Sequence, residues 1–280
     1  MPNAVLGDFV AMELNAKDVM KLRDKTGLPM MACKSALIEA KGDFEKAEDI
    51  LRKQMKGKMD SKTNRAAGEG RIAICVAREA ATIVELKAET DFTAKNEKFV
   101  NAAQKLADLA ISSHAGDVPA SPAMAAVVDE LRISTGENIS YGRGHKLLQD
   151  PGSGAFGSYV HHDGKTGVLV QAEGSIDDET LRNVCMHIVG SPIRPMGVSI
   201  KDIPADLAEK ERKFRIEQAM ESGKPKEIAE KMVEGAMRKF YEERALLEQP
   251  FIRDESKKIK DVVGSKSTIV AFFRWQVGEA

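Results

Sequence analysis

The hydrophobic period of the chain changes near residue 70. Before that point apolar residues recur at helical spacing between tight glycine stops. After it, β-branched residues gather in short runs of strand length. Blocks of helix followed by hairpin strands and further helices point to the α+β class rather than to an all-helical or all-β fold.

Three helices are legible at the start. Asn15 is placed to cap a helix carrying Val19 and Leu22, which stops at Thr26-Gly27. Pro29 opens a second, with Met30, Cys33, Ala36 and Leu37 on one side and a stop at Lys41-Gly42. Asp43 caps a third through Ala47, Ile50 and Leu51. This predicts a small three-helix domain over residues 12–56, an extension at 1–11, and a polar, glycine-bearing linker at 57–70.

Residues 71–77 and 82–88 then form a hairpin around Arg78-Glu79. Helices follow through Phe99, Ala102, Ala103 and Leu106, and over 123–133, before a strand near Ile139 and Tyr141. The theme returns with a hairpin of 156–161 and 168–172 around His162-Asp163-Gly164-Lys165, a helix over 177–189 and a closing strand over 268–277. Two related α+β subdomains with antiparallel sheets are expected, one at 71–150 and one at 151–203 plus 249–280. In the stretch that interrupts the second, 204–248, 21 of the 45 residues are charged. Ala229, Val233, Ala236, Phe240 and Leu247 make a thin seam there, with Leu207, Phe214, Ile216 and Met220 on the first limb. An inserted, projecting antiparallel helical (coiled-coil) hairpin is expected.

Composition narrows function by exclusion. A chain of 280 residues suggests two or three units. Its 42 basic and 43 acidic residues nearly cancel, so the positive field that dominates phosphate-backbone binding is missing and no direct nucleic-acid partner is expected. Three scattered cysteines suit free thiols in a reducing compartment. No apolar run approaches the roughly 18 residues of a membrane span, and residues 1–11 lack the Lys or Arg of a targeting peptide. A cytoplasmic protein with no membrane partner is expected.

No phosphate loop, serine elbow or metal-ligand spacing occurs. His161 and His162 are adjacent, and successive strand residues face opposite ways. No catalytic, metal or cofactor site is therefore expected. The informative segment is Ala88-Glu89-Thr90-Asp91-Phe92-Thr93-Ala94-Lys95-Asn96-Glu97. Thr90, Asp91 and Thr93 are all capping types, one of which is expected to cap the helix toward Phe99. Phe92 at that strand-to-helix corner has two readings: a staple folded onto its own helix, or an exposed wedge beside an acid.

Glu89-Thr90-Asp91-Phe92-Thr93-Ala94-Lys95-Asn96 is similar to the ETDFVAKN signature of the elongation factor Ts family. Thr26-Gly27 with Met30-Met31-Ala32-Cys33-Lys34-Ser35-Ala36-Leu37 resembles that family's TGAGMMDCKKAL, and the segment from Ser222 through Gly235, together with Gln249-Pro250-Phe251-Ile252, also resembles it. The resemblance begins near Met12 and runs to Glu279. Leu28-Pro29, Ala32 and Thr93 depart from the family pattern, as does Thr135 before Gly136-Glu137-Asn138.

The resemblance implies a guanine-nucleotide exchange factor acting on elongation factor Tu by contact rather than catalysis. The N-terminal domain is implied to be ubiquitin-associated-like and to dock on the partner's GTPase domain. Thr90, Asp91, Phe92 and Thr93 are implied to intrude near its magnesium and phosphate site. Leu22, Arg23, Met30, Met31, Gly136, Asn138, His161 and His187 are implied as secondary contacts. Stoichiometry is left open, with a homodimer or a 2:2 complex among the options.

Overall fold

The structure, a computed structural model, describes residues 15–60, 64–221, 223 and 225–279. The extension at 1–11, the Met12-Glu13-Leu14 start of the resemblance, and Ser222 and Lys224 of the hairpin turn lie outside the described residues.

The chain opens with helices α1 (Ala16–Thr26), α2 (Met30–Glu39) and α3 (Phe44–Asp60). The Asn15 side chain accepts from the Lys17 amide (3.0 Å) and Asp43 from the Lys46 amide (3.1 Å), so two of the expected caps close orphan donors. Gly27 ends α1 at φ 71, a left-handed position that suits glycine. Val19, Leu22, Leu28, Cys33, Ala36, Leu37, Ala47 and Leu51 fill the space between the helices. Met30 points outward at 44% exposure rather than joining them. Helix α3 runs to Asp60, into the stretch expected as linker.

The first sheet has the order β1 (Glu69–Val76), β2 (Ala80–Ala88), β4 (Ser140–Leu148) and β3 (Gly116–Asp117), all antiparallel. Between β2 and β4 the chain forms α4 (Asp91–Lys95), α5 (Glu97–Ala110) and α6 (Pro122–Thr135). The second sheet has the order β5 (Gly154–Val160), β6 (Thr166–Gly174) and β9 (Ser267–Gln276), with α7 (Asp178–Gly190) following its hairpin. In each sheet the hairpin's second strand is central and pairs with a later strand. Each central strand also carries one register shift, after Glu85 in β2 and after Gln171 in β6, at the same distance from its start. The fold is α+β, with helices segregated to the outer faces.

Burial explains why the central strands are almost continuously apolar. Val84, Leu86 and Ala88 of β2 meet Phe99, Ala103 and Leu106 of α5. Ala81 and Ile83 point the other way, onto Phe156 and Leu169 of the second sheet. Val168, Val170 and Ala172 of β6 meet Leu181, Val184 and Ile188 of α7. The layers run helix, sheet, sheet, helix. At the start of β6, Gly167 admits the close approach, since a Cβ there would fall 2.4 Å from the Ile72 Cγ2.

Helices α8 (Ala205–Glu221) and α9 (Lys226–Arg244) pair antiparallel, and a short hairpin, β7 (Pro250–Phe251) with β8 (Asp254–Lys258), and α10 (Ile259–Val263) return the chain to β9. The α8–α9 seam is built from Ala208, Ala219, Val233, Met237 and Phe240. The expectation for the first limb is corrected: Phe214, Ile216 and Met220 are 54%, 41% and 74% exposed, because the seam on α8 uses small alanines instead. Ala236 is only half-buried; Met237 takes the place expected for it.

Two further expectations change. Thr90 does not cap the helix carrying Phe99; it caps α4, and Asn96 caps α5 by accepting from the Lys98 amide (2.9 Å). His161 and His162 lie beyond β5, in its turn, so strand alternation does not separate them and their ring centroids stand 4.2 Å apart. Among the described residues no group of three or more His, Cys, Asp or Glu could hold a metal ion, and no helix is long and apolar enough to cross a membrane.

Candidate functional site

The corner after β2 is built by three segments that meet only in the fold. Thr90 is extended (φ −125, ψ 153), its hydroxyl accepts from the Thr93 amide (3.3 Å), and its carbonyl accepts from the Ala94 amide (3.2 Å). A helix of this length cannot hold itself, because nucleation fixes several residues for one hydrogen bond. Glu137 supplies what is missing. Its carboxylate accepts from the Thr90 amide (3.2 Å), the Thr90 hydroxyl (2.7 Å) and the Thr93 hydroxyl (2.7 Å). Gly136, the left-handed cap of α6 (φ 72), turns the chain so that Glu137 reaches the corner. Asn138 continues the clamp: its amide donates to Glu89 (2.7 Å) and its side chain to the Arg65 carbonyl (2.7 Å). Arg65 in turn lies 3.5 Å from Glu89.

On this clamped corner Phe92 is 84% exposed, more than any other large apolar side chain described. The staple reading is therefore excluded, since a staple would cover the ring. Beside it Asp91 accepts from Lys95 at 2.6 Å. That hydrogen bond, more than any other interaction, holds the Asp91 carboxyl below the usual carboxylate range, with Lys165 adding to it. Lys165 pairs with Glu69 at 2.6 Å and belongs to the β5–β6 turn. That turn docks on β1 through the Ile72 amide and the Gly164 carbonyl (2.9 Å). A side chain at Gly164 would fall 2.5 Å from the Arg71 guanidinium at a backbone φ of +73. The corner and the turn that holds His161 thus share one end of the sheet sandwich. His161 itself is half-buried, 3.3 Å from the Tyr159 hydroxyl.

The secondary residues divide by exposure. Arg23, Met30 and Met31 lie on the outside of the three-helix domain, Met31 at 71% exposure. Leu22 is a correction: it is wholly buried among α1–α3 and offers no surface to a partner. Asn138 and His187 are buried too, and act by holding other segments. Glu137, Glu89 and Gln249, which do that holding with them, lie inside segments that resemble the family but were not singled out as site residues.

His187 shows how such a residue works. The Ile252 amide donates to its Nδ1 (3.2 Å), so Nδ1 carries no proton and Nε2 donates to Gln249 Oε1 (2.9 Å). Gln249 then donates to the carbonyls of Ile193 (2.7 Å) and Glu243 (2.6 Å), tying the base of α9 to the second sheet's helical layer. Burial pushes the His187 pKa below its ordinary 6.5, the Gln249 hydrogen bond opposing only in part. A depressed histidine pKa means the unfolded chain binds the proton more readily. The stabilisation is complete above about pH 6.5 and declines as pH falls through the folded-state value. The thermal midpoint of the protein should therefore fall more steeply below neutral pH than that of His187→Gln. Equal slopes would remove His187 from the account.

The chain's relatives can now be set beside this geometry. The family model described as Elongation factor TS matches residues 89–279, starting at the first residue of the corner. An Elongation factor Ts from Actinobacillus succinogenes is 42% identical over 272 residues, covering 95% of this chain and 92% of the relative. Those from Haemophilus ducreyi (42%) and Maricaulis maris (40%) cover the same shares of both chains. This chain belongs to the elongation factor Ts family. It is thereby a member of a family of translation elongation factors that serve protein biosynthesis.

For a family member the clamp yields a direct expectation. Glu137→Ala removes three charge-assisted acceptor contacts, each of a kind worth about 1.5–3 kcal/mol when intact, though partial exposure lowers the sum. The Ala94 amide should exchange with solvent at least about tenfold faster, a change of 1.4 kcal/mol. An unchanged Ala94 protection would show that α4 is held by something else.

Proposed function

We propose that the chain is a guanine-nucleotide exchange factor that binds elongation factor Tu·GDP and drives GDP out, so that GTP can load during elongation. The observation that carries this reading is an apolar ring held 84% exposed on a corner whose backbone is pinned by Glu137. An exposed phenylalanine on a rigid mount is arranged to enter something else. In this reading Phe92 and Asp91 press on the partner's magnesium and phosphate region, with Thr90 and Thr93 fixing their approach. Arg23, Met30 and Met31 of a ubiquitin-associated-like domain at 12–56 contact the GTPase domain. The His161 turn meets another part of the partner. Leu22, Asn138 and His187 contribute indirectly, by shaping the surfaces around them. The remaining units are a linker shortened to the stretch between α3 and β1, the subdomains at 71–150 and at 151–203 with 249–280, and a coiled-coil hairpin at 204–248. The chain uses no cofactor of its own, and a homodimer or a 2:2 complex with the partner are the stoichiometries in view.

The physics is reciprocal coupling: if nucleotide weakens the factor's binding, the factor weakens the nucleotide's by the same factor. A ten-thousandfold loss of nucleotide affinity needs about 5.5 kcal/mol of differential binding. Burying one Phe supplies about 1.5–3 kcal/mol, so the ring cannot act alone. Uncovering phosphate charge by disturbing the magnesium is the natural source of the remainder. Stopped-flow release of labelled GDP from elongation factor Tu, with and without the chain, tests this. Accelerated release supports it; binding without acceleration overturns it.

A further inference from the structure

The three-helix domain meets the first subdomain beside an open cleft. Helix α3 packs on α6, and Ile133 of α6 rests against the three-helix core. Next to that contact lies a cavity of about 540 Å³. Its floor is apolar: Leu28 and Leu51 come from one side, Val127 and Leu131 from the other, all buried. Its rim is cationic. Lys25 and Arg52 stand on the three-helix side. Lys98 and Lys105 stand on the other, on one face of α5, two turns or about 10 Å apart. Lys25 is committed to Glu48 at 2.5 Å. Arg52, Lys98 and Lys105 are exposed and make no ion pair among the described residues. Against these three the rim sets one uncommitted acid, Glu130. The cleft is thus a local positive field in a chain whose charges otherwise nearly cancel.

We propose that this cleft binds a nucleoside di- or triphosphate, without magnesium and as a ligand rather than a cofactor, through residues that play no part in the exchange surface. Two chemistries meet in one cavity, and the ligand has to satisfy both. Uncommitted cations on two walls call for an anion with more than one phosphoryl group. A floor of leucine and valine calls for a flat apolar body, and the volume falls in the range of small-ligand sites. A nucleotide has both parts: the base lies on the floor and the phosphates reach the rim. The low dielectric of the floor strengthens that attraction. The lining contains no aromatic ring to stack a base and no glycine-rich loop to cradle phosphate. The base is therefore not told from other bases, and side-chain charge alone holds the phosphates. Magnesium has no place here, because Glu48 is taken by Lys25 and a single remaining carboxylate is a poor metal site. On the phosphates it would cancel the charge that the lysines meet. A bound nucleotide bridges α3 and α5, so it also steadies the three-helix domain against the core.

This inference is independent of the exchange reading, and its test needs no partner protein. Isothermal titration of the full chain with ATP, GTP and UTP in a chelating buffer should give dissociation constants on the order of tens of micromolar, alike within about threefold. Inorganic triphosphate has the charge without the body and should bind at least about tenfold more weakly. Saturating magnesium should weaken ATP binding severalfold. Lys98→Glu and Lys105→Glu should each weaken it at least about tenfold. The same reversal at the exposed Lys213 of α8 changes the net charge equally and should leave binding alone. All three lysines are exposed, so the variants should keep the fold, which circular dichroism checks. Absence of binding up to about 1 mM of any nucleotide overturns the proposal. Inorganic triphosphate binding as tightly as ATP overturns it as well, since the apolar floor then contributes nothing. Equal losses at Lys98→Glu and Lys213→Glu also overturn it, because the attraction is then general rather than seated in the cleft.

Discussion

Phe92→Ala should leave the protein as stable as before, within about 1 kcal/mol, while slowing stimulated GDP release roughly thirtyfold. The first half follows from exposure: a ring that is 84% exposed loses little buried surface when truncated. Phe99, one turn into α5 and fully buried against β2, is the internal control. Phe99→Ala should cost about 3–5 kcal/mol through lost transfer energy and the cavity left behind. The second half rests on the exchange reading proposed above. A central aromatic that becomes buried only in the complex is a hot spot worth about 2 kcal/mol or more, or some thirtyfold in affinity. Asp91→Ala should act in the same direction, because it removes the charge beside the ring and frees Lys95. The double variant should fall short of the product of the two, since neighbours on one corner share an orientation. Denaturant midpoints and release rates measured on the same preparations decide the matter. A Phe92→Ala protein that is destabilised like Phe99→Ala, yet exchanges normally per folded molecule, would end the wedge reading.

What was legible in the sequence and what was not divides along a physical line. Hairpins, helix starts and the three-helix beginning depend on residues close together in the chain, so Asn15 and Asp43 announce their helices and each cap forms a hydrogen bond. The break between α4 and α5 was also local, since Asn96 is a good capping type, but it stood among Thr90, Asp91 and Thr93, which compete for the same role. Glu137 was not legible. It lies 44–47 residues from the groups it clamps, and an exposed-looking glutamate after a glycine stop has no distinguishing pattern. The family's Gly136-Glu137-Asn138 run includes it, but only Gly136 and Asn138 on either side were taken as contacts. A motif, however, records which residues matter together and not which of them face outward. The wider resemblance has the same limit: it implied Leu22 and His187 as contacts, and burial assigns them to the interior instead. The α8 limb failed differently. Apolar residues were assumed to seek the seam, but two alanines already close it, leaving Ile216 and Met220 outside.

The largest stability effect outside the apolar cores should come from Glu85, a charge placed between the two sheets. Its side chain is 1% exposed and accepts from Arg143 Nε at 2.8 Å and from the Gly278 amide at 3.1 Å. Arg143 lies directly opposite on β4. It covers the Trp275 ring at 4.6 Å and donates to the Glu279 carbonyl (2.8 Å). One buried ion pair thereby joins both sheets to the last residues of β9 and beyond. Removing a single partner of such a pair costs about 3–5 kcal/mol, because the other charge is stranded, whereas replacing both with apolar groups can be neutral. Arg143 keeps 30% of its side chain exposed, which favours the lower figure. Glu85→Ala should therefore cost about 3 kcal/mol. Glu85→Leu with Arg143→Met should recover most of it, as a double-mutant cycle would register. Trp275 is the only tryptophan in the chain, so its emission reports on this interface alone. In Glu85→Ala its transition should move to lower denaturant, while the far-ultraviolet signal of α1–α3 persists to its original midpoint. Separate units need not unfold together, and that separation makes the assay selective. If the Trp275 transition stays where it was, the pair is ornamental and the sheets are held by Ile72, Ile83, Phe156 and Leu169 without it.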